Sequence, residues 1–264
     1  MGVLFLGTQE ICPIREAGGN NGVPREVSSS GVYQIPATSF TFSLPDGATK
    51  LGSHSFSYAF IASTGLTYVD MSTIVSVSGT YTADNMCYNC TNLTTVNLSA
   101  LETVSGSYAF YYAFYGCSGL TSVDLSSLKT VSASNGFSNA FYNCTSLTSF
   151  SLPKLETASG SSCFYFTWAG CTGLTSMSFT KLSTLTGSQA LTYAFYNCTS
   201  LTSVSFPALT TSSFSTRTNQ FNNMLTGCTG VTVHFPAAIQ STIGSWSSVT
   251  GGFGGTNTTV LYDL

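Results

Sequence analysis

The cysteines are the residues of this sequence best suited to chemistry, as nucleophiles, redox pairs or metal ligands. The chain has nine. Cys87 and Cys90 form a C-x-x-C pair, but no second pair has this spacing, and Cys87 falls at a place where other units have Phe. A zinc site would need more ligands than the chain groups together. The spacing of six cysteines predicts a structural column instead, since five lie 27 residues apart and the sixth follows after 30. The column comprises Cys90, Cys117, Cys144, Cys171, Cys198 and Cys228.

Two chemical roles for this column stay open. Neighbouring members could lie within disulfide distance of one another. A column of reduced thiols fits a chain that is made in a cytosol.

Other catalytic motifs are weak. His54 lies in a Gly/Ser loop, and His234 aligns with Ser205 at a solvent-facing strand position; neither has a nucleophile and an acid at a recognisable spacing. The stretch GGFGG at 251–255 lacks the Lys-Ser/Thr pair and helix of a phosphate-binding loop, so we interpret it as a flexible loop. We therefore predict no catalytic residues, no metal and no cofactor.

The composition limits the classes of partner. Only 6% of residues are charged and the net charge is −3, which cannot supply a basic face for nucleic acid. No apolar run approaches the roughly 18 residues of a membrane helix, and the first residues lack the pattern of a secretory signal. We expect no membrane insertion, and either a cytoplasmic chain or one that leaves by another route, such as assembly into a virion released by lysis.

A 27-residue repeat organises the positions around the cysteine column. Fixed periods of 20–50 residues are typical of solenoids, and this one extends over about seven turns at 36–227, with Ser63 in the place of a cysteine. Counted from each cysteine, the third, sixth, eighth, eleventh, twentieth and twenty-fourth places are apolar in nearly every unit. Alternation around the sixth and eighth places predicts one short strand per turn and a parallel sheet on one face. The opposite face should hold turns, or a short helical piece at AFYNC.

The motif AFYNCTSLTSFSLPKL at 140–155, repeated as AFYNCTSLTSVSFPAL at 194–209, resembles the BspA-like branch of leucine-rich repeats. This resemblance implies a right-handed, α/β-type or mostly β leucine-rich-repeat solenoid, in which the cysteine place hydrogen-bonds the backbone of the adjoining loop. The units are a few residues longer than is usual for that branch.

Both ends depart from the repeat. We predict an attachment or cap segment at 1–35, and a C-terminal cap at 228–264 with a short helix in 236–246 and a last strand in 258–264. The opening GVLFLGTQEICPI is similar to the starts of phage tail-associated proteins, and the ending TTVLYDL resembles those of phage and gut-bacterial repeat proteins.

Two surfaces are candidates for binding. The outward places of each strand lie five and seven residues after the column cysteine, or after Ser63 where it replaces one. They hold Tyr68, Asp70, Asn97 and Asp124. The twenty-second and twenty-fifth places form a tyrosine row, and tyrosine suits binding surfaces; this row includes Tyr112, Tyr115, Tyr142 and Tyr196. The alternatives are a merely solvated strip and tyrosines that stack to support the solenoid.

The functional hypothesis is a non-enzymatic phage virion appendage, a tail or fibre adhesin. Its N-terminal segment would bind virion proteins, and its repeats would meet a host surface glycan or protein, with a homo-oligomer possible. The alternative is a bacterial or protist cell-surface adhesin of the BspA-like type.

Overall fold

The computed structural model describes residues 3–6, 9–13, 39–41, 50–214, 219–243 and 252–264. The N-terminal segment begins with an antiparallel pair of strands, β1 (Val3–Leu6) and β2 (Gln9–Pro13). Most of the predicted segment 1–35 lies outside the described residues, so its role as an attachment segment stays a prediction.

From Leu51 onward the chain winds into a solenoid whose coils repeat every 27 residues over most of its length. A first set of strands occupies the predicted places: β3 (Ser39–Thr41), β5 (Tyr68–Asp70), β7 (Thr95–Asn97), β9 (Ser122–Asp124), β12 (Ser176–Ser178), β14 (Ser203–Ser205), β15 (Thr232–Phe235) and β16 (Thr259–Tyr262). They pair in parallel, with Val96 against Val123 and His234 against Ser205. This register confirms the parallel sheet and the alignment of His234.

Six of the described coils also contribute a second strand, which the sequence analysis did not predict. These two-residue strands are β4 (Lys50–Leu51), β6 (Ser76–Val77), β8 (Thr103–Val104), β10 (Thr130–Val131), β11 (Thr157–Ala158) and β13 (Thr184–Leu185). They form one parallel sheet in the order β13-β11-β10-β8-β6-β4. Such a coil therefore has two strand faces and one face of turns. The predicted parallel sheet is confirmed, and the prediction of one strand per turn misses the second sheet.

The first sheet is interrupted in the middle of the solenoid. It consists of β3-β5-β7-β9 and β12-β14-β15-β16, because residues 149–151 form no strand. Phe150 stands where neighbouring coils have Val or Met, and its ring packs on Phe141 (5.0 Å between centroids) and Trp168 (5.2 Å). We attribute the break to this larger side chain. The second sheet crosses the break through β10 and β11, so the stack stays continuous.

The core consists of the predicted apolar columns. Equivalent rings stack from coil to coil, for example Phe110 on Phe137 at 4.9 Å and Phe179 on Phe206 at 5.0 Å. Cys87, which takes an aromatic place, is fully buried. Since each coil buries its apolar face against its neighbours, the coils stabilise one another, as in other solenoids.

The third face is built from successive four-residue turns. Within a coil, Ala113 N–H donates to Phe110 O (3.1 Å), and Tyr112 N–H donates to Ser138 O in the next coil (3.1 Å). In the repeating coils every fourth residue of this face adopts a left-handed backbone, with φ of 54° at Tyr112 and 57° at Asn139. Such residues are strained unless they are Gly or Asn, so the bonds between coils hold them. The prediction of turns on this face is confirmed.

The C-terminal segment extends the sheet that the first set of strands forms. Two 3-10 helices (Thr211–Phe214 and Ala237–Ile239) and α1 (Gln240–Ile243) precede β16, which pairs in parallel with β15. Helix and strand therefore fall within the predicted ranges 236–246 and 258–264.

Candidate functional site

The six column cysteines each donate a hydrogen bond from Sγ to a backbone carbonyl of the preceding coil. Their spacing allows this because the acceptor lies 30 residues earlier in five cases and 33 in the sixth. The bonds are Cys90 to Phe60 (2.9 Å), Cys117 to Cys87 (3.1 Å), Cys144 to Phe114 (3.3 Å), Cys171 to Phe141 (3.2 Å), Cys198 to Trp168 (3.0 Å) and Cys228 to Phe195 (3.0 Å).

Burial makes the thiols poor nucleophiles. It raises the pKa of Cys171 and Cys163 to about 12 and that of Cys228 to about 11. In the C-x-x-C pair, burial raises the pKa of Cys87, whose hydrogen bond lowers the pKa of Cys90. The eight cysteines with described side chains are buried free thiols. Within the described ranges no three His, Cys, Asp or Glu side chains are grouped as metal ligands.

The candidates on the outward strand strip have local structural contacts. Asp70 Oδ1 accepts a hydrogen bond from the N–H of Ser72 (3.0 Å), and Asp124 Oδ1 accepts one from Ser126 (2.9 Å). In the equivalent bond of its own coil, Asn97 Oδ1 accepts from the N–H of Ser99 (3.1 Å). These side chains therefore close the turn that follows each strand. Tyr68 lies half-buried at the fifth place of the same sheet.

The tyrosine row lies on the turn face, away from the strand strip. Tyr88, Tyr115 and Tyr142 stack in one column, with centroids 4.7 and 4.9 Å apart. Tyr196 lies outside this stack, against Phe166 at 5.7 Å. The structure thus separates the two predicted surfaces, and it brings the tyrosines together with aromatic residues that sequence reasoning missed.

Predicted tyrosines and missed residues together line an open depression on the turn face, with a volume of about 440 Å³. Aromatic side chains of two coils flank it, and the coil between them contributes Asn135, Ser138, Asn139 and Tyr142. We call it the aromatic groove; it is lined by Tyr108, Tyr111, Tyr112, Asn135, Ser138, Asn139, Tyr142, Tyr165 and Phe166.

The groove is uncharged at neutral pH. Burial, with a hydrogen bond to Tyr112, raises the pKa of Tyr111 to about 12, and burial raises the pKa of Tyr142 and Tyr165 as well. Their hydroxyls therefore remain protonated and can donate or accept hydrogen bonds. Asn139 is 7% exposed, and its Nδ2 donates to Ser138 Oγ at 3.0 Å.

Of the predicted tyrosines, Tyr112 and Tyr142 line the groove, whereas Tyr115 and Tyr196 do not. The signal that would have found the groove is an interruption: aromatic residues at the eighteenth, twenty-first and twenty-second places of one unit, 108–112, give way to Asn and Ser in the next, 135–139. Among the described residues no helix has the length and apolar character to cross a membrane.

A family model of the BspA type leucine rich repeat region matches the chain in six copies, over residues 27–112 and 111–226. No curated protein sequence matches the chain.

Solved structures of three bacterial proteins resemble the chain loosely. A leucine rich repeat protein from T. pallidum is 14% identical, with 83% of this chain and 81% of that chain covered and a TM-score of 0.37. A leucine-rich repeat protein from Bacteroides ovatus is 16% identical, with 93% of this chain and 77% of that chain covered and a TM-score of 0.31. A leucine rich cell surface protein from Faecalibacterium prausnitzii is 15% identical, with 89% of this chain and 92% of that chain covered and a TM-score of 0.20.

Proposed function

Because the chain belongs to the BspA-type leucine-rich repeat family, we propose that it is a non-enzymatic adhesin on a cell surface. BspA-like repeats are common in bacterial and protist cell-surface adhesins. The proposed working surface is the turn face, with which the protein holds a host macromolecule.

The observation that carries this proposal is the cluster of aromatic side chains on the turn face. Tyr81 and Tyr108 stack at 4.8 Å, beside the column that contains Tyr115. Tyr supplies a large contact area with a polar tip at a low entropic cost. Bonds between coils hold this array in place, so little further ordering accompanies binding.

The virion hypothesis receives less support. Its N-terminal segment, which would bind virion proteins, lies mostly outside the described residues. The family match concerns the repeats, and residues 1–26 lie outside it. A tail or fibre location therefore stays a prediction, and the test of location includes it as an outcome.

Location can be tested with antibodies against the purified chain. Intact cells that produce the protein should be labelled in flow cytometry, whereas an antibody against a cytoplasmic protein should label permeabilised cells alone. Labelling of this chain that needs permeabilisation would contradict a surface adhesin. Enrichment at a fixed copy number in purified phage particles would replace it with the virion hypothesis.

Binding can be tested with beads coated with the full chain. We expect them to adhere to mucin and to epithelial cells more strongly than beads coated with the heat-denatured chain. Equal adhesion of the two preparations would refute binding by the folded repeats.

A further inference from the structure

We propose that the aromatic groove binds one neutral sugar ring of a host glycan. This inference rests on the proposed function, and it names the chemical class of ligand and the place where it binds. Three observations carry it: the width of the groove, the chemistry of its lining, and the absence of charge.

The width follows from the interrupted aromatic places. Tyr111 and Tyr165 take the same place in coils that flank the unit containing Ser138. Coils in such a stack lie about 4.8 Å apart, so the flanking coils are about 10 Å apart. Because apolar contacts form at about 3.5–4 Å, this gap admits one saturated ring with contact on both sides. The groove volume of about 440 Å³ lies within the usual range for small-ligand sites.

The lining suits a pyranose ring. Such a ring presents C–H groups on its faces, which pack on aromatic rings, and hydroxyls around its edge, which need hydrogen-bond partners. Tyr111 and Tyr165 supply aromatic surface, and Asn135 supplies an amide that can both donate and accept. Asn139 also lines the groove, and the bond that its Nδ2 donates to Ser138 orients its side chain and leaves its carbonyl oxygen outside that bond.

The charge balance selects neutral sugars. The lining comprises Tyr, Phe, Asn and Ser side chains, with no Lys or Arg to compensate a carboxylate, sulfate or phosphate. An acidic sugar would lose its hydration without gaining an ion pair. A tyrosine-rich peptide is the competing occupant. It would offer the side-chain amides of Asn135 and Asn139 fewer hydroxyl partners than a sugar does.

The test uses the full chain on an array of neutral and acidic glycans, followed by titration calorimetry with the tightest neutral oligosaccharide. Asn139→Tyr should fill the groove, and its backbone conformation is one that Tyr112 already adopts in the preceding coil. Tyr165→Ala should remove one wall. Tyr58→Ala is the matched control, because Tyr58 takes the same place as Asn139, is 51% exposed and does not line the groove.

We expect wild type and Tyr58→Ala to bind within twofold of each other, and the two groove variants to bind at least about tenfold more weakly, as for a central contact residue. Circular dichroism should show that each variant is folded; if Asn139→Tyr is not, Tyr165→Ala decides. Binding to no neutral glycan, preference for acidic glycans, or unchanged affinity in the folded groove variants would overturn the proposal. Capture of a tyrosine-rich peptide in place of any glycan would do the same.

Failure of this inference differs from failure of the proposed function. If wild-type and Asn139→Tyr beads adhere equally to mucin, the groove is not the site although the protein remains an adhesin. If wild-type beads do not adhere at all, the adhesin proposal itself fails.

Discussion

Raising the pH from 8 to 10 under reducing conditions should weaken the folded state through its buried thiols. Burial raises the pKa of Cys163 from 9.0 to about 12, because a thiolate cannot be hydrated in the core. A raised pKa means that the folded chain keeps the proton after the unfolded chain has released it. The stabilising contribution is therefore complete below pH 9 and is lost as the pH rises from 9 towards 12.

The magnitude follows from the same pKa values. At pH 10, one unit above the unfolded value, each such thiol has lost on the order of 1 kcal/mol of its contribution. Cys163, Cys171 and Cys228 all keep their protons at that pH. Together they lower the free energy of unfolding by a few kcal/mol, a large part of the roughly 5–15 kcal/mol typical of a folded domain.

The assay is urea unfolding followed by circular dichroism at pH 8 and pH 10, with a phosphine reductant present. Cys163→Ala loses the same packing energy at both pH values, so that loss cancels in the comparison. Its free energy of unfolding should fall by on the order of 1 kcal/mol less than that of wild type between the two pH values. Ser161→Ala, an exposed neighbour, should show the full wild-type fall.

An equal fall in wild type and Cys163→Ala would refute the reasoning. It would mean that the folded chain releases this proton as readily as the unfolded chain does, and that other groups cause the alkaline loss.

Substitutions at three further positions test the contacts between and within coils. Cys144→Ala removes a buried sulfur and its bond to the preceding coil, and should cost about 1–3 kcal/mol in urea unfolding, whereas Cys144→Ser should recover part of the loss. Gly160→Ala places a Cβ against the carbonyl oxygen of Ala133 and should cost about 1–3 kcal/mol or more; an unchanged midpoint would contradict the close approach of the coils. Asp124→Ala should cost about 1 kcal/mol and Asp124→Asn close to none, because Asn97 closes the equivalent turn in the neighbouring coil; equal losses would contradict that role.

The sequence predicts the solenoid well because its contacts repeat with the period of the sequence. A residue such as Leu120 meets the same place of the units before and after it, so a row of apolar residues in the sequence becomes a column in the core. The first set of strands can also be predicted from the sequence. Alternation of polar and apolar residues over three positions, as around Val96, is enough to indicate each strand.

The second sheet escapes sequence reasoning because its strands are two residues long. Thr103–Val104 and its equivalents contribute one buried side chain each, which cannot be distinguished from a turn that happens to bury one residue. The break at Phe150 depends on the volume of side chains from other coils, and a column of similar apolar residues does not reveal it.

The candidate site is hidden for a related reason. Repetition of aromatic places draws attention to Tyr115 and its column, which stack on one another and so cover much of their own ring surface. A perfectly regular face offers the same environment at every coil, and it gives a discrete ligand no reason to prefer one position. The aromatic groove exists because Asn135, Ser138 and Asn139 break the pattern between two aromatic coils. In a solenoid of this kind, the regular places stabilise the fold, and a specific binding site is to be sought where a single unit departs from them.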